Sequence, residues 1–175
     1  MLAAAWARRL GATVIGTVGT VGSDDKAALA REAGCEHVIV TREYPFADAV
    51  QRLCSGTDVI VDGLGDAARQ QDFDAPALCG HWLSLGLASS ALQSLHFNWL
   101  VSKSITCSRP VVFAFVDTPA LARYTQRLRA ALADGSIRRP PIERYTLDAA
   151  EQPDARLESR ATCGALIRRP DSMTH

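Results

Sequence analysis

The chain has 175 residues, with 19 Lys+Arg against 19 Asp+Glu and near-average apolar content, enough to enclose one sizeable core. Balanced charge provides no field to gather nucleic acid or an acidic membrane surface, and no basic stretch is interleaved with aromatics, which argues against both as partners. No apolar run approaches the roughly 20 residues of a membrane-spanning helix, and the opening Leu-Ala-Ala-Ala-Trp stretch is too short and wrongly flanked for a signal peptide, so the expected location is the cytoplasm.

The elements alternate from the start. Leu2 to Leu10 reads as a helix closed by Gly11, the residue type that takes the left-handed C′ position, and Ala12 to Val18 runs apolar and β-branched as a strand. No strand and no glycine-rich turn stand ahead of that first helix, where a nucleotide-binding βαβ unit would carry them. A polar turn, Gly19 to Asp25, leads to a helix over Lys26 to Ala33 with Ser23 or Asp24 as its N-cap and Gly34 as its stop. Glu36 to Val40 is the next strand, Phe46 to Cys54 a helix, and Asp58 to Asp62 a fully buried strand. A further helix carries Phe73, Ala77 and Leu78, and Gly80 to Gly86 is another strand. Alternation of this kind, with strands apolar on both faces, predicts a parallel sheet covered by helices on each side.

The second half is less regular. Leu95 to Ser102 reads as a short helix and Ile105 to Ser108 as a strand. Pro119 to Ala133 is an amphipathic helix with Leu121, Tyr124, Leu128 and Leu132 on one face, closed by Asp134-Gly135. Arg138-Arg139-Pro140-Pro141 breaks regular structure. An extended Ile142 to Leu147, a helix through Ala155 and Leu157, and an apolar Ala165-Leu166-Ile167 follow, with the polar tail 171–175 outside the fold. Gly16-Thr17-Val18 is repeated at once as Gly19-Thr20-Val21. The repeat is either a surface-loop insertion of small closure cost or a disturbance of the loop where a nucleotide ribose would lie.

The five cysteines, Cys35, Cys54, Cys79, Cys107 and Cys163, form no C-x-x-C pair and lack histidines at ligand spacing, so neither zinc nor disulfides are expected and each thiol reads as a small core hydrophobe. His37, His81 and His96 have no spaced acidic or cysteine partner, and no Ser-His-Asp or paired-carboxylate arrangement is present. No catalytic side chain and no metal site are predicted.

Gly11 to Val18, Asp25 to Ala30 and Ala33 to Ile39 resemble the cofactor domain of the zeta-crystallin-like NADPH:quinone oxidoreductases, a zinc-free branch of the medium-chain dehydrogenases/reductases. Asp62-Gly63-Leu64-Gly65 stands for that family's Asp-Ser-Val-Gly, Ser108-Arg109-Pro110 for its Thr-Arg-Pro, and Leu157-Glu158-Ser159-Arg160-Ala161-Thr162 for its Leu-Glu-Ser-Arg-x-Thr. The resemblance implies an α/β fold: a Rossmann-type doubly wound parallel sheet lacking the first strand and the Ala-Gly-Gly-Val-Gly turn. It implies a partial NADPH-binding domain over 1–135, and a segment over 136–170 that packs on a GroES-like substrate domain.

The same resemblance implies the site. Lys26 stands for the lysine that holds the adenosine 2′-phosphate of NADPH, with Ser23 beside it. The alternative reading of Lys26 is a solvated first-turn residue next to Asp24 and Asp25. Thr41 replaces a tyrosine near the phosphate. Gly63-Leu64 and Leu85-Gly86-Leu87 close two consecutive strands where open α/β sheets bind ligands, and they serve equally as tight turns. Leu87 replaces a polar residue near the nicotinamide. Ser108, Arg109 and Arg160 line the nicotinamide side and the cleft edge in the family. Ala165 replaces a lysine, and Arg168 and Arg169 sit badly in a buried strand, so the closing strand is expected to be shortened or exposed.

Two functions remain open at this stage. One is a quinone reductase, passing hydride from NADPH to a small-molecule quinone or enone and forming a homodimer at full length, with this portion alone binding and turning over poorly. The other is a non-catalytic remnant or dimerisation module that pairs through strands near Ile105 to Arg109.

Overall fold

The computed structural model describes residues 1–19, 23–41, 45–149, 151–159 and 162–170. The elements in chain order are α1 (Leu2–Arg9), β1 (Ile15–Gly19), α2 (Ser23–Glu32), β2 (His37–Thr41), α3 (Ala47–Cys54), β3 (Thr57–Asp62), α4 (Arg69–Asp74), β4 (Pro76–Ser84), α5 (Asn98–Val101), β5 (Thr106–Ser108), α6 (Pro119–Ala133), β6 (Ile142–Thr146), α7 (Glu151–Glu158) and β7 (Ala165–Arg169). Single 3-10 turns at Asp66–Ala68 and Val112–Phe115 complete the regular structure among the described residues.

The strands hydrogen-bond in three groups, β1-β2, β3-β4-β5 and β6-β7. Pairing is parallel from β3 to β4, from β4 to β5 and from β6 to β7. The chain divides into two compact units, one of Met1–Val40 with Leu128 onward, the other of Thr41–Arg127.

In the first unit α1 ends as its sequence dictates. Gly11 takes φ +89°, and the amides of Gly11 and Ala12 return to the carbonyls of Arg8 and Ala7. Arg8 and Arg9, in the last turn beside the negative end of the helix dipole, reach Glu36 at 2.9 Å and Asp134 at 3.4 Å. α2 packs on β1 with small residues at the contact: Ala27 and Cys35 are buried, and a Cβ on Gly16 would stand 2.8 Å from the Cys35 sulfur. The expected caps of α2 are corrected, since Ser23 and Asp24 are already helical and Asp24 and Asp25 occupy the first turn. The second copy of the Gly-Thr-Val repeat falls outside the described residues from Thr20 onward.

The second unit holds an aromatic core. Phe73 from α4, Trp82 from β4 and Ile105 are buried together, with Ile60, Leu92, Trp99, Leu100 and Cys107 packed against them. Ile60, Trp82 and Cys107 occupy one register row across β3, β4 and β5, which puts them on one face of the sheet. The alternate rows, Val59-His81-Thr106 and Val61-Leu83-Ser108, point the other way.

That alternation corrects the expectation of a fully buried β3: Val59 and Val61 remain 55% and 50% exposed. A second correction concerns Ala77 and Leu78, which lie in β4 rather than in a helix. Pro76, lacking an N–H and clashing with a preceding helical turn, ends α4 and opens the strand. Lys103 Nζ donates to the carbonyls of Asp74 and Pro76 and secures that switch. β7 is exposed at its end but not shortened, and runs through Arg168 and Arg169 in register with β6. α6 spans the expected residues, yet Tyr124 and Leu128 on its apolar face are exposed.

All five cysteines are free, but only Cys35 is buried, while Cys54 and Cys79 are exposed. Alanine-sized neighbours leave room for a core thiol at Cys35, and Cys107, half-buried in β5, packs against the Phe73–Trp82–Ile105 core. No helix among the described residues is long and apolar enough to cross a membrane.

Candidate functional site

Three parallel strands of the second unit end together, at Asp62, Ser84 and Ser108. Beyond β3, the Asp62 side chain folds back on its own loop. Its Oδ1 accepts the Leu64 amide at 2.7 Å, and its two oxygens accept the Gly65 amide at 3.2 and 3.1 Å. Gly65 then turns at φ +89°, where a Cβ would strike the Ser90 carbonyl at 2.3 Å, so only glycine fits.

The loop after β4 is laced to the loop after β3. The Leu85 amide donates to the Asp62 carbonyl at 2.7 Å, the Ala88 amide to Gly63 at 3.1 Å and the Ser89 amide to Leu64 at 2.9 Å, while Ser89 Oγ also donates to the Leu64 carbonyl. Contact is so close at Gly86 that a Cβ would lie 2.6 Å from the Gly63 oxygen. On the opposite side a Cβ on Gly63 would meet nothing within 4 Å. The paired loops therefore present a small, rigid and open backbone surface at the C-terminal edge of the sheet, flanked by the exposed Leu85 and Leu87.

The next strand end supplies polar groups. Arg109 donates from Nη1 to the buried Ser84 Oγ at 3.1 Å, and Ser108 Oγ lies 2.7 Å from His81 Nε2. Under this edge sits Asp72, 2% exposed, whose Oδ2 accepts the Trp82 indole N–H at 3.2 Å. Burial, and then the neighbouring Asp62, push its carboxyl up to about 7 against the opposing pull of the Trp82 hydrogen bond.

Of the predicted cofactor residues, Gly63, Leu64, Leu85, Gly86, Leu87, Ser108 and Arg109 are brought together at this strand edge. Thr41 is buried at the end of β2. Ser23 and Lys26 lie in the first turn of α2, after β1 in the first unit. Arg160 falls outside the described residues. Asp62, Ser84, Ser89, Asp72 and His81, the partner of Ser108, were not singled out as site residues. Asp62 sits inside a recognised motif, which was the available signal; the rest depend on cross-strand register that spacing along the chain does not encode.

The first unit carries a separate open pocket of about 490 Å³, lined among others by Arg8, Arg9, Glu32, Gly34, Arg138 and Arg139 and by no predicted cofactor residue. Among the described residues no group of three or more His, Cys, Asp or Glu is placed to hold a metal.

Residues 1–127 match the zinc-binding dehydrogenase family. The quinone oxidoreductase of Salmonella typhimurium is 32% identical over 97% of this chain and 53% of its own length. Quinone oxidoreductase 1 of Escherichia coli is 31% identical over the same shares. The crystal structure of Escherichia coli quinone oxidoreductase complexed with NADPH superposes with a TM-score of 0.85 at 30% identity, over 97% of this chain and 53% of that one. The chain thus spans about half the length of the curated relatives it matches. The parallel strands, the order of the elements and the match over most of the chain agree: this chain belongs to the zinc-binding dehydrogenase family.

Proposed function

We propose that the chain is the cofactor-binding portion of an NADPH-dependent quinone oxidoreductase, residues 1–135 forming a partial Rossmann domain and 136–170 a segment that packs on a substrate domain. The observation that carries the proposal is the laced pair of glycine loops at the ends of β3 and β4. Open α/β sheets bind ligands at that edge, and the bare Gly63 side leaves room for a planar ring or ribose to lie on backbone. When bound, NADPH supplies a hydride from its nicotinamide to a quinone or activated enone.

The chain's own part is to bind and orient. By the resemblance, Lys26 takes the 2′-phosphate by charge, and Ser23 and Thr41 are assigned to the cofactor as well. Gly63, Leu64, Leu85, Gly86 and Leu87 form the floor for the ribose and nicotinamide. Ser108 and Arg109, the latter steadied by Ser84, and Arg160 border the nicotinamide side. The setting is the cytoplasm, where the free thiols stay reduced. The chain alone binds weakly and turns over little, because the phosphate turn and the substrate-facing residues of the resembled family lie outside these residues.

Titration with NADPH and separately NADH, followed by nicotinamide fluorescence, tests this reading. Saturable binding with preference for NADPH is expected, and Lys26→Ala should erase that preference by about tenfold, the scale of one charge-assisted contact. Absence of saturable binding by a folded chain would overturn it. A second reading, a dimerisation module without catalysis, has its own support: among the described residues β5 is the outer strand of the β3-β4-β5 sheet, and Phe97 and Phe113 in the same unit are 81% and 82% exposed. In the enzyme reading the same surface joins two subunits.

A further inference from the structure

The pocket of about 490 Å³ in the first unit lies away from the cofactor residues predicted there. α2 leaves the end of β1 at Ser23 and returns to the start of β2 after Glu32, so its two ends lie at opposite edges of the strand pair. Ser23 and Lys26 belong to one edge. Glu32 and Gly34, together with Arg8 and Arg9 at the end of α1, line the pocket at the other.

A further wall is the turn after α6. Ile137, 1% exposed, anchors it: its amide donates to the Ala131 carbonyl at 2.9 Å, and Ser136 Oγ donates to the same oxygen at 3.2 Å. Arg9 Nη1 donates to Ser136 Oγ, which ties α1 to this turn. The buried Ile137 on one side and Pro140-Pro141 on the other restrict the backbone of Arg138 and Arg139, and both arginines are exposed.

Charge decides what such a pocket takes. Four arginines line it against one carboxylate, that of Glu32. Arg8 pairs with Glu36 at 2.9 Å and Arg9 with Asp134 at 3.4 Å. Hydrogen bonds from Ser136 hold the Asp134 carboxyl below its ordinary range, so it stays ionised and offsets Arg9. Among the described residues no ion pair involves Arg138 or Arg139. A guanidinium offers a planar fork of N–H donors that matches carboxylate and phosphate oxygens. Beside the arginines, Leu29, Pro140 and Pro141 give the pocket an apolar wall, and its volume is that of a site for a small organic molecule.

We propose that this pocket binds a small organic oxyanion, a phosphate or carboxylate head on an apolar body, with Arg138 and Arg139 on the head and Leu29 and the Pro140-Pro141 pair against the body. The inference does not rest on the cofactor reading, since no predicted cofactor residue lines the pocket.

The test titrates the purified, nitrogen-15-labelled chain, without nucleotide, with phenyl phosphate and separately with benzoate, and follows amide resonances by NMR. The expected result is saturable shifts at Gly34, Gly135 and Ser136 with a Kd of about 1 mM or tighter for at least one probe, the tighter of the two assigning the head group. Inorganic phosphate, which lacks the body, should bind at least about threefold more weakly. The double variant R138A/R139A should keep its melting temperature and lose about tenfold or more in affinity, whereas E32Q, which removes the one carboxylate lining the pocket, should tighten binding by about threefold. The proposal is overturned if neither probe saturates on the folded chain, if the shifts fall on the Gly63–Gly65 and Leu85–Leu87 loops instead, if inorganic phosphate binds equally well, or if R138A/R139A binds as the parent does. Because no nucleotide is present, failure of NADPH binding leaves this result untouched.

Discussion

Gly86 and Gly63 face each other across the laced loops and have opposite tolerances. A methyl at Gly86 collides with the Gly63 carbonyl at 2.6 Å, and neither neighbour is the far end of a flexible side chain. Gly86→Ala should therefore cost about 1–3 kcal/mol and lower the melting temperature by several degrees. Gly63→Ala points into open space and should change stability by less than about 0.5 kcal/mol while weakening NADPH binding, if the cofactor lies there. Thermal denaturation and fluorescence titration of the two variants check both halves.

Asp72 gives a second test at this scale. Its carboxyl is raised to about 7 by burial and by Asp62, so the folded state holds a proton that the unfolded chain has released between about pH 4 and 7. The folded state binds more protons in that window, hence stability falls as pH rises through it and levels off above 7. The swing reaches up to about 4 kcal/mol for three pH units. Asp72→Asn keeps an acceptor for the Trp82 N–H and should flatten the profile, measured as urea midpoints across pH 4–8.

Elements show where local propensity and packing part company. Gly11, Gly34, Gly56 and Gly135 all take positive φ just past helix ends, which made the helix stops readable, because glycine alone adopts that conformation freely. The helix expected through Phe73, Ala77 and Leu78 runs across Pro76, a helix breaker, because the apolar Ala77 and Leu78 suit a helix face as well as a strand. Pairing with β3 decides for the strand. Phe73 is central to this region, its ring tilted against Trp82 at 5.1 Å and against Trp99 at 5.6 Å between centroids. Phe73→Ala should cost about 3–5 kcal/mol, seen as a lowered urea midpoint, since the surrounding rings cannot close the void.

For the molecule as a whole, reduction of 9,10-phenanthrenequinone by the purified chain should run at least about a hundredfold below a full-length relative in kcat/KM. Binding energy that positions cofactor against acceptor is lost when only part of the cleft is present. Turnover comparable to a full-length relative would sink that expectation. Saturable NADPH binding with little turnover is the expected combination.

Much of the candidate site was legible because the glycines at strand ends follow from strand periodicity, and the resemblance supplied the motifs at Asp62–Gly65 and Ser108–Pro110. What stayed hidden were contacts between strands. The hydrogen bonds of Ser84 to Arg109 and of His81 to Ser108 join residues 25 and 27 positions apart, and the raised carboxyl of Asp72 depends on three elements meeting. The sequence by itself determined the α/β alternation, the glycine stops of several helices and the family, since each follows from local backbone preference or from the order of short motifs. Only the tertiary structure decided which strand is an edge, which valines stay in water and which glycine has no room for a methyl group, because those properties belong to neighbours that the chain brings together from a distance.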